Sequence, residues 1–156
     1  MPRVLTVFAA LVCTFCVIPT ASARTTLSRS ELSLLRAVNA TRASYHLAPF
    51  RVDSALVRAA RSHTTDMVRS DYFAHGAFAA RMHAFHVRGP AMGENLAWGS
   101  GSYGSPQSIV RMWLNSPPHR ANLLRPGFRR IGLGVVTASF QGESGATVVT
   151  ADFAGR

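Results

Sequence analysis

A histidine and a glutamate of this chain are candidates for chemistry, the first in a turn-forming context and the second in an extended one. His119 closes the run Ser116-Pro117-Pro118-His119. A serine oxygen can accept an orphan helical amide, and proline at the first helical position sacrifices no hydrogen bond. The run therefore predicts a short helix starting at Ser116 with His119 in its first turn. Amides exposed there carry partial positive charge, which disfavours imidazolium and leaves a neutral ring, the form that takes a metal or a proton. Read alone, His119 is more simply an exposed loop histidine. Glu94, between Gly93 and Asn95, is on its own equally an ordinary surface carboxylate.

The surrounding elements must position these side chains. Ser28-x-x-Glu31 is a capping-box pattern, and Leu32, Leu35 and Val38 follow at helical spacing, which predicts a first helix over about 29–45. Asp53 caps a second, in which Leu56, Ala60, His63 and Met67 share one stripe, and it ends near Asp71. His63 on that stripe reads as a hydrogen-bonded, partly buried residue rather than a ligand. The breaker run Tyr72-Phe73-Ala74-His75-Gly76 comes next, then a short helix over 81–86 with His83 and His86 toward solvent.

Met92 to Trp98 reads as an extended segment carrying Glu94, and 99–105 as a glycine and serine loop. Ser105-Pro106 opens another helix whose Ile109, Val110 and Trp113 face the core. After the His119 turn, 131–139 and 147–153 have the β-branched content of strands, joined through Gln141-Gly142-Glu143-Ser144-Gly145 as a hairpin. Helices first and a hairpin last predict an α+β fold with an antiparallel sheet.

The opening 23 residues read as an export signal: a basic start at Arg3, an apolar run over 4–18, and the small-residue site Ala21-Ser22-Ala23. The run is short for a bilayer span, so no transmembrane anchor is expected after processing. A short arm over 24–30 and one domain over 31–156 follow, a length suited to a single core. Both cysteines, Cys13 and Cys16, fall in the signal, which leaves the exported domain without a disulfide or thiol site. All 17 basic residues are arginine, against 7 acids, for a net charge of +10. Such a protein should adhere to anionic surfaces such as envelope polymers or acidic lipids. Nucleic acid is not expected, because the arginines are scattered and no basic stripe is interleaved with aromatics.

Tyr72-Phe73-Ala74-His75, Gly93-Glu94-Asn95-Leu96-Ala97 and Trp113-Leu114-Asn115-Ser116-Pro117-Pro118-His119-Arg120-Ala121-Asn122-Leu123-Leu124, in this order and spacing, resemble the CAP superfamily. This is the SCP-like or cysteine-rich secretory, antigen 5 and pathogenesis-related 1 group, and the likeness is to its cysteine-free bacterial branch. Val38-Asn39-x-x-Arg42 and Ala59-Ala60-x-x-His63-x-x-Asp66-Met67 fit the same branch.

The resemblance implies a single-domain α-β-α sandwich with a central antiparallel sheet and a cleft walled by His75, Glu94, His119, Ser116 and Asn122. Members often place two histidines and two glutamates there, and some hold zinc or another divalent ion. By motif His75, Glu94 and His119 are three of the four, and Ser116 stands where the second glutamate would be. A site of two histidines and one carboxylate retains metal binding better than hydrolysis, because Glu94, the candidate base, is spent as a ligand. The chain is accordingly expected to be a secreted, monomeric, non-enzymatic binding module for a lipid, a sterol or an anionic envelope polymer. A metal-dependent hydrolase or peptidase and a structural or adhesion protein stand as the alternatives.

Overall fold

A computed structural model describes residues 25–156, so the expected export signal and the two cysteines lie outside the described residues. Helix α1 spans Arg29–Ser44, with both halves of the predicted capping box made by Ser28 and Glu31. It claims the last two residues of the arm expected over 24–30. Helix α2 spans Ser54–Ser70; the Asp53 side chain accepts from Ala55 and Leu56, and left-handed Asp71 ends it. Helix α3 runs Phe78–Ala84, three residues earlier than the sequence suggested, and leaves His83 and His86 exposed.

Strand β2 covers Met92–Gly99, and the glycine and serine loop after it contains a 3₁₀ turn over Gly101–Gly104. Helix α4 is Pro106–Asn115 and α5 is Pro117–Leu123. Strands β3, Phe128–Phe140, and β4, Glu143–Gly155, form a long hairpin. The expected five-residue connector shrinks to Gln141 and Gly142, with φ of 52° and 79°. Two consecutive left-handed residues make the tight turn whose twist matches that of paired strands, so Glu143 to Gly145 already belong to β4.

The sheet order is β1-β3-β4-β2, where β1 is Arg51–Val52. Three strands are antiparallel, as expected, while the two-residue β1 pairs parallel with β3. One face packs against α1, α4 and α5 through Leu34, Trp113, Ile131, Leu133 and Phe153. The other packs against α2 and α3 through Leu56, Met82 and Ala154. This is the α-β-α sandwich. On β3, Gly132 and Gly134 let α2 lie directly on the sheet: a Cβ on Gly132 would stand 2.0 Å from the backbone of Leu56. Among the described residues, no helix is long and apolar enough to cross a membrane.

Candidate functional site

Strand β2 is an outer strand of the sheet, packed against α4 and α5, and side chains from the α2–α3 side reach it as well. The α2 layer supplies His75, in the segment between α2 and α3, and the α5 layer supplies His119. Glu94 on β2 lies at the junction. Its side chain is not the surface group that its neighbours allowed, being only 6% exposed. His75 Nδ1 donates to Glu94 Oε1 over 2.7 Å, and the His75 and His119 ring centroids are 6.5 Å apart. His75 is thus next to both Glu94 and His119. His75 is open to solvent on its other side, its side chain 56% exposed.

Two edge carbonyls of β2 are capped by side chains. Asn122 Nδ2 donates to the carbonyl of Glu94 over 3.1 Å and to Asn95 Oδ1 over 3.0 Å. Trp113 Nε1 donates to the carbonyl of Leu96 over 2.9 Å. Asn95 Nδ2 reaches across to the His119 carbonyl over 2.9 Å, which fixes the first turn of α5 against the strand. Asn122, expected to wall the cleft, thus spends its amide on the strand edge and holds β2 to α5. Ser116 sits at the joint between α4 and α5, in the capping position, but its hydroxyl caps no amide of α5. Among the described residues it makes no side-chain bond to Glu94, His75 or His119, so the place of a fourth donor is not filled by it.

His119 does occupy the first turn of α5. Burial first, and then the neighbouring His75, hold its pKa below the ordinary histidine range. The neutral ring expected from the helix terminus is thus reached through desolvation. Burial and then the Arg81 charge likewise lower His63, against the pull of Glu94. His63 Nε2 donates to the Ala74 carbonyl over 3.0 Å and stands 4.0 Å from Glu94 Oε2, the hydrogen-bonded role expected of it, though the ring is buried rather than partly buried.

Two residues of the site were not anticipated. Arg81 of α3 donates through Nη2 to Glu94 Oε2, a close charge-assisted contact inside the α2 layer. Asp152 of β4 pairs in register with Glu94 and is fully buried. Among the described residues neither Asp152 oxygen has a hydrogen-bond partner, and Arg81 Nη2 comes no nearer than 4.0 Å. Burial first and the Glu94 carboxylate second push Asp152 well above the usual carboxylate range, which favours its neutral acid. A sequence signal existed for it: Asp152 follows Val148 and Thr150 at the two-residue period of one strand face. Nothing in the spacing joined Arg81 to Glu94.

The donor set does not fit a divalent ion in this arrangement. Both Glu94 oxygens are engaged, one by His75 and one by the Arg81 cation. Only the two imidazoles remain, short of the three protein ligands of an open zinc site. Among the described residues no group of three or more His, Cys, Asp or Glu side chains is arranged to hold a metal ion. Glu94 here resembles an outer carboxylate that orients a histidine more than a ligand.

The comparisons with known proteins agree with this architecture. The chain is 34% identical over 142 residues to YkwD, an uncharacterized protein of Bacillus subtilis, covering 88% of this chain and 51% of that protein. It is 32% identical over 111 residues to YlbC, an uncharacterized membrane protein of the same organism, covering 68% of this chain and 31% of the other. The chain therefore spans about half the length of the first relative and under a third of the second. An extracellular protein containing an SCP domain from Bacillus anthracis superposes with a TM-score of 0.68 at 24% identity, over 81% of this chain and 40% of that one. An outer surface protein of Borrelia burgdorferi superposes with a TM-score of 0.67 at 20% identity, over 79% and 90% of the two chains. These two likenesses speak to the fold. The family model of CAP, the cysteine-rich secretory protein family, matches residues 35–153, and the chain belongs to that family.

Proposed function

We propose that this chain is a secreted, non-enzymatic binding module of the CAP family. Its cleft at the β2 rim takes up an apolar ligand such as a lipid or sterol, and its basic surface takes up an anionic envelope component. The observation that carries the reading is the condition of Glu94, buried with one oxygen on His75 and the other on Arg81. A general base needs a free lone pair within reach of the proton it removes. Here each oxygen already holds a partner, and the Arg81 cation beside the carboxylate weakens it as a proton acceptor, while the imidazoles of His75 and His119 remain to meet a ligand. Export is supported by the composition of residues 1–23 and by the extracellular and outer-surface descriptions of similar structures.

The test is a binding panel of a sterol, a long-chain fatty acid and an anionic wall polymer at low salt, run beside a peptide-cleavage assay with and without added zinc. The expected outcome is saturable binding of a sterol or fatty acid, weakened at least tenfold in His75→Ala or His119→Ala, and no cleavage. Zinc-dependent peptide cleavage lost in Glu94→Gln would replace this reading with the hydrolase alternative.

A further inference from the structure

Between Glu94 and Glu143 the chain contains five arginines and no acidic residue. Two of the five are engaged elsewhere: Arg130 pairs with Asp53 over 2.8 Å, and Arg111 donates to Ser108 Oγ. The other three, Arg120, Arg125 and Arg129, line two grooves that meet at Pro126. The first, about 610 Å³, lies along α5 between Pro117 and Pro126 and is lined by Arg120 and Arg125. The second, about 510 Å³, continues from Pro126 past Arg129 to Arg156. No carboxylate side chain lines either groove, and among the described residues none of these arginines has an acidic partner.

Two of the guanidiniums are held in place without being neutralised. Arg120 lies 5.2 Å from the centre of the Tyr45 ring and donates to its hydroxyl over 3.3 Å. Arg125 lies 4.9 Å from the centre of the Phe128 ring. Stacking on an aromatic face restricts an arginine's rotamers while leaving its charge and most of its donors available. Less conformational entropy then remains to be lost on binding.

We propose that this α5–β3 band is a binding site for a linear phosphate polyanion, a chain of phosphodiester-linked units. A guanidinium fork matches phosphate oxygens bidentately. The four arginines are divided between two adjoining grooves, so one small anion reaches only some of them, whereas a chain laid across Pro126 reaches all. Nucleic acid fits less well, because the Phe128 ring is fully buried and Arg120 already lies over the Tyr45 ring, which leaves little stacking surface for a run of bases. A lipid surface fits less well too. The large exposed apolar side chains Leu32, Val52, Phe73 and Tyr103 line neither groove, Arg120 lies over the Tyr45 ring, and the leucines of the first groove, Leu114 and Leu124, are only partly exposed between its arginines. The inference rests on the binding-module reading for the class of its partner and locates that partner outside the cleft.

The test measures binding of the full chain to synthetic poly(glycerol phosphate) between about 50 and 200 mM salt, the range over which phosphate contacts reveal themselves. Arg120→Gln/Arg125→Gln/Arg129→Gln is compared with Arg36→Gln/Arg58→Gln/Arg69→Gln, which removes equal charge from exposed positions elsewhere. The band variant should bind at least tenfold more weakly, with its salt slope flattened by roughly 2, while the control loses less than threefold. Melting curves verify the fold, and the Arg120→Gln/Arg125→Gln pair substitutes if the triple variant melts early. Equal losses in both triple variants overturn the proposal, as do glycerol phosphate binding as tightly as the polymer, absence of polymer binding, and tighter binding of single-stranded DNA or phosphatidylglycerol vesicles. His75→Ala should leave polymer binding unchanged. A chain that binds sterol through the cleft but ignores the polymer loses this inference alone, and one that binds the polymer through the band but nothing at the cleft loses only the cleft reading.

Discussion

Glu94 on β2 and Asp152 on β4 face each other in register, two carboxyl groups on neighbouring strands with one guanidinium, Arg81, beside them. Like charges at directly opposed strand positions repel, and burial sharpens the repulsion. The arrangement is tolerable when Glu94 carries the charge, paired with Arg81, and Asp152 holds its proton.

Removing Arg81 leaves the Glu94 charge buried without its strongest partner. Arg81→Met should destabilise the chain by about 3–5 kcal/mol. Asp152→Asn, which mimics the neutral acid, should cost less than about 1.5 kcal/mol near neutral pH. The sign follows from the raised folded pKa of Asp152. Its protonation favours the folded state at low pH, and that contribution is lost as pH rises above the ordinary aspartate value of about 3.9. Wild type should therefore lose ground relative to Asp152→Asn with rising pH. Urea unfolding at several pH values checks both claims, and a variant ranking that reverses would overturn the neutral-acid assignment.

The same contact should keep Glu94 from serving as a metal ligand. With Arg81 gone, Glu94 Oε2 is released as a third donor beside His75 and His119. Zinc should bind Arg81→Met at least tenfold more tightly than wild type, read by calorimetry on samples first stripped with chelator. Equal affinities would mean that Arg81 does not compete for the carboxylate.

A second pH effect runs the opposite way. Glu31 is buried, which alone would raise its pKa, but the hydrogen bonds and charge of Arg61, with the Ser28 amide, bring it below the ordinary value. Arg61 Nη2 lies 2.6 Å from Glu31 Oε2, though the arginine side chain is 41% exposed, so screening discounts the pair. A depressed folded pKa stabilises above the unfolded value of about 4.3 and is lost as pH falls through the folded one. Glu31→Gln should cost roughly 1–2 kcal/mol at neutral pH, cap included, and converge on wild type in acid. A cost that stays constant with pH would assign it to packing alone.

Gly132 tests the layer contact. A methyl group there meets the α2 backbone at 2.0 Å, whereas one at Gly127 meets nothing within 4 Å. Gly132→Ala should lower stability by about 3 kcal/mol or more, and Gly127→Ala should change it by less than about 0.5 kcal/mol. Similar melting temperatures for the two would refute the close packing of α2 on β3.

What could be read from the residues was mostly what depends on near neighbours. Ser28 with Glu31, and Asp53 with the two amides after it, are local capping devices that declare a helix start wherever they occur. His75, Glu94 and His119 were joined by motif, and His75 stands beside the other two because the segment between α2 and α3 and the first turn of α5 both reach β2. The Arg81 contact escaped notice because it joins a helix to a strand 13 residues on, with no periodicity to mark it. Strand β1 escaped because two residues carry no pattern, and the length of β4 because Gln141 gives no sign of a left-handed backbone. Ser116 and Asn122 lay in the right motif, but the first caps nothing and the second is absorbed by the strand edge.

That edge has a further meaning. An outer strand with unpaired backbone groups invites a strand from another molecule and, through it, aggregation. On β2 the indole of Trp113 and the amide of Asn122 already occupy the Leu96 and Glu94 carbonyls, so an incoming strand would have to displace both before it could register. The indole and the amide that tie β2 to α4 and α5 thus also shield the sheet from edge-to-edge self-assembly.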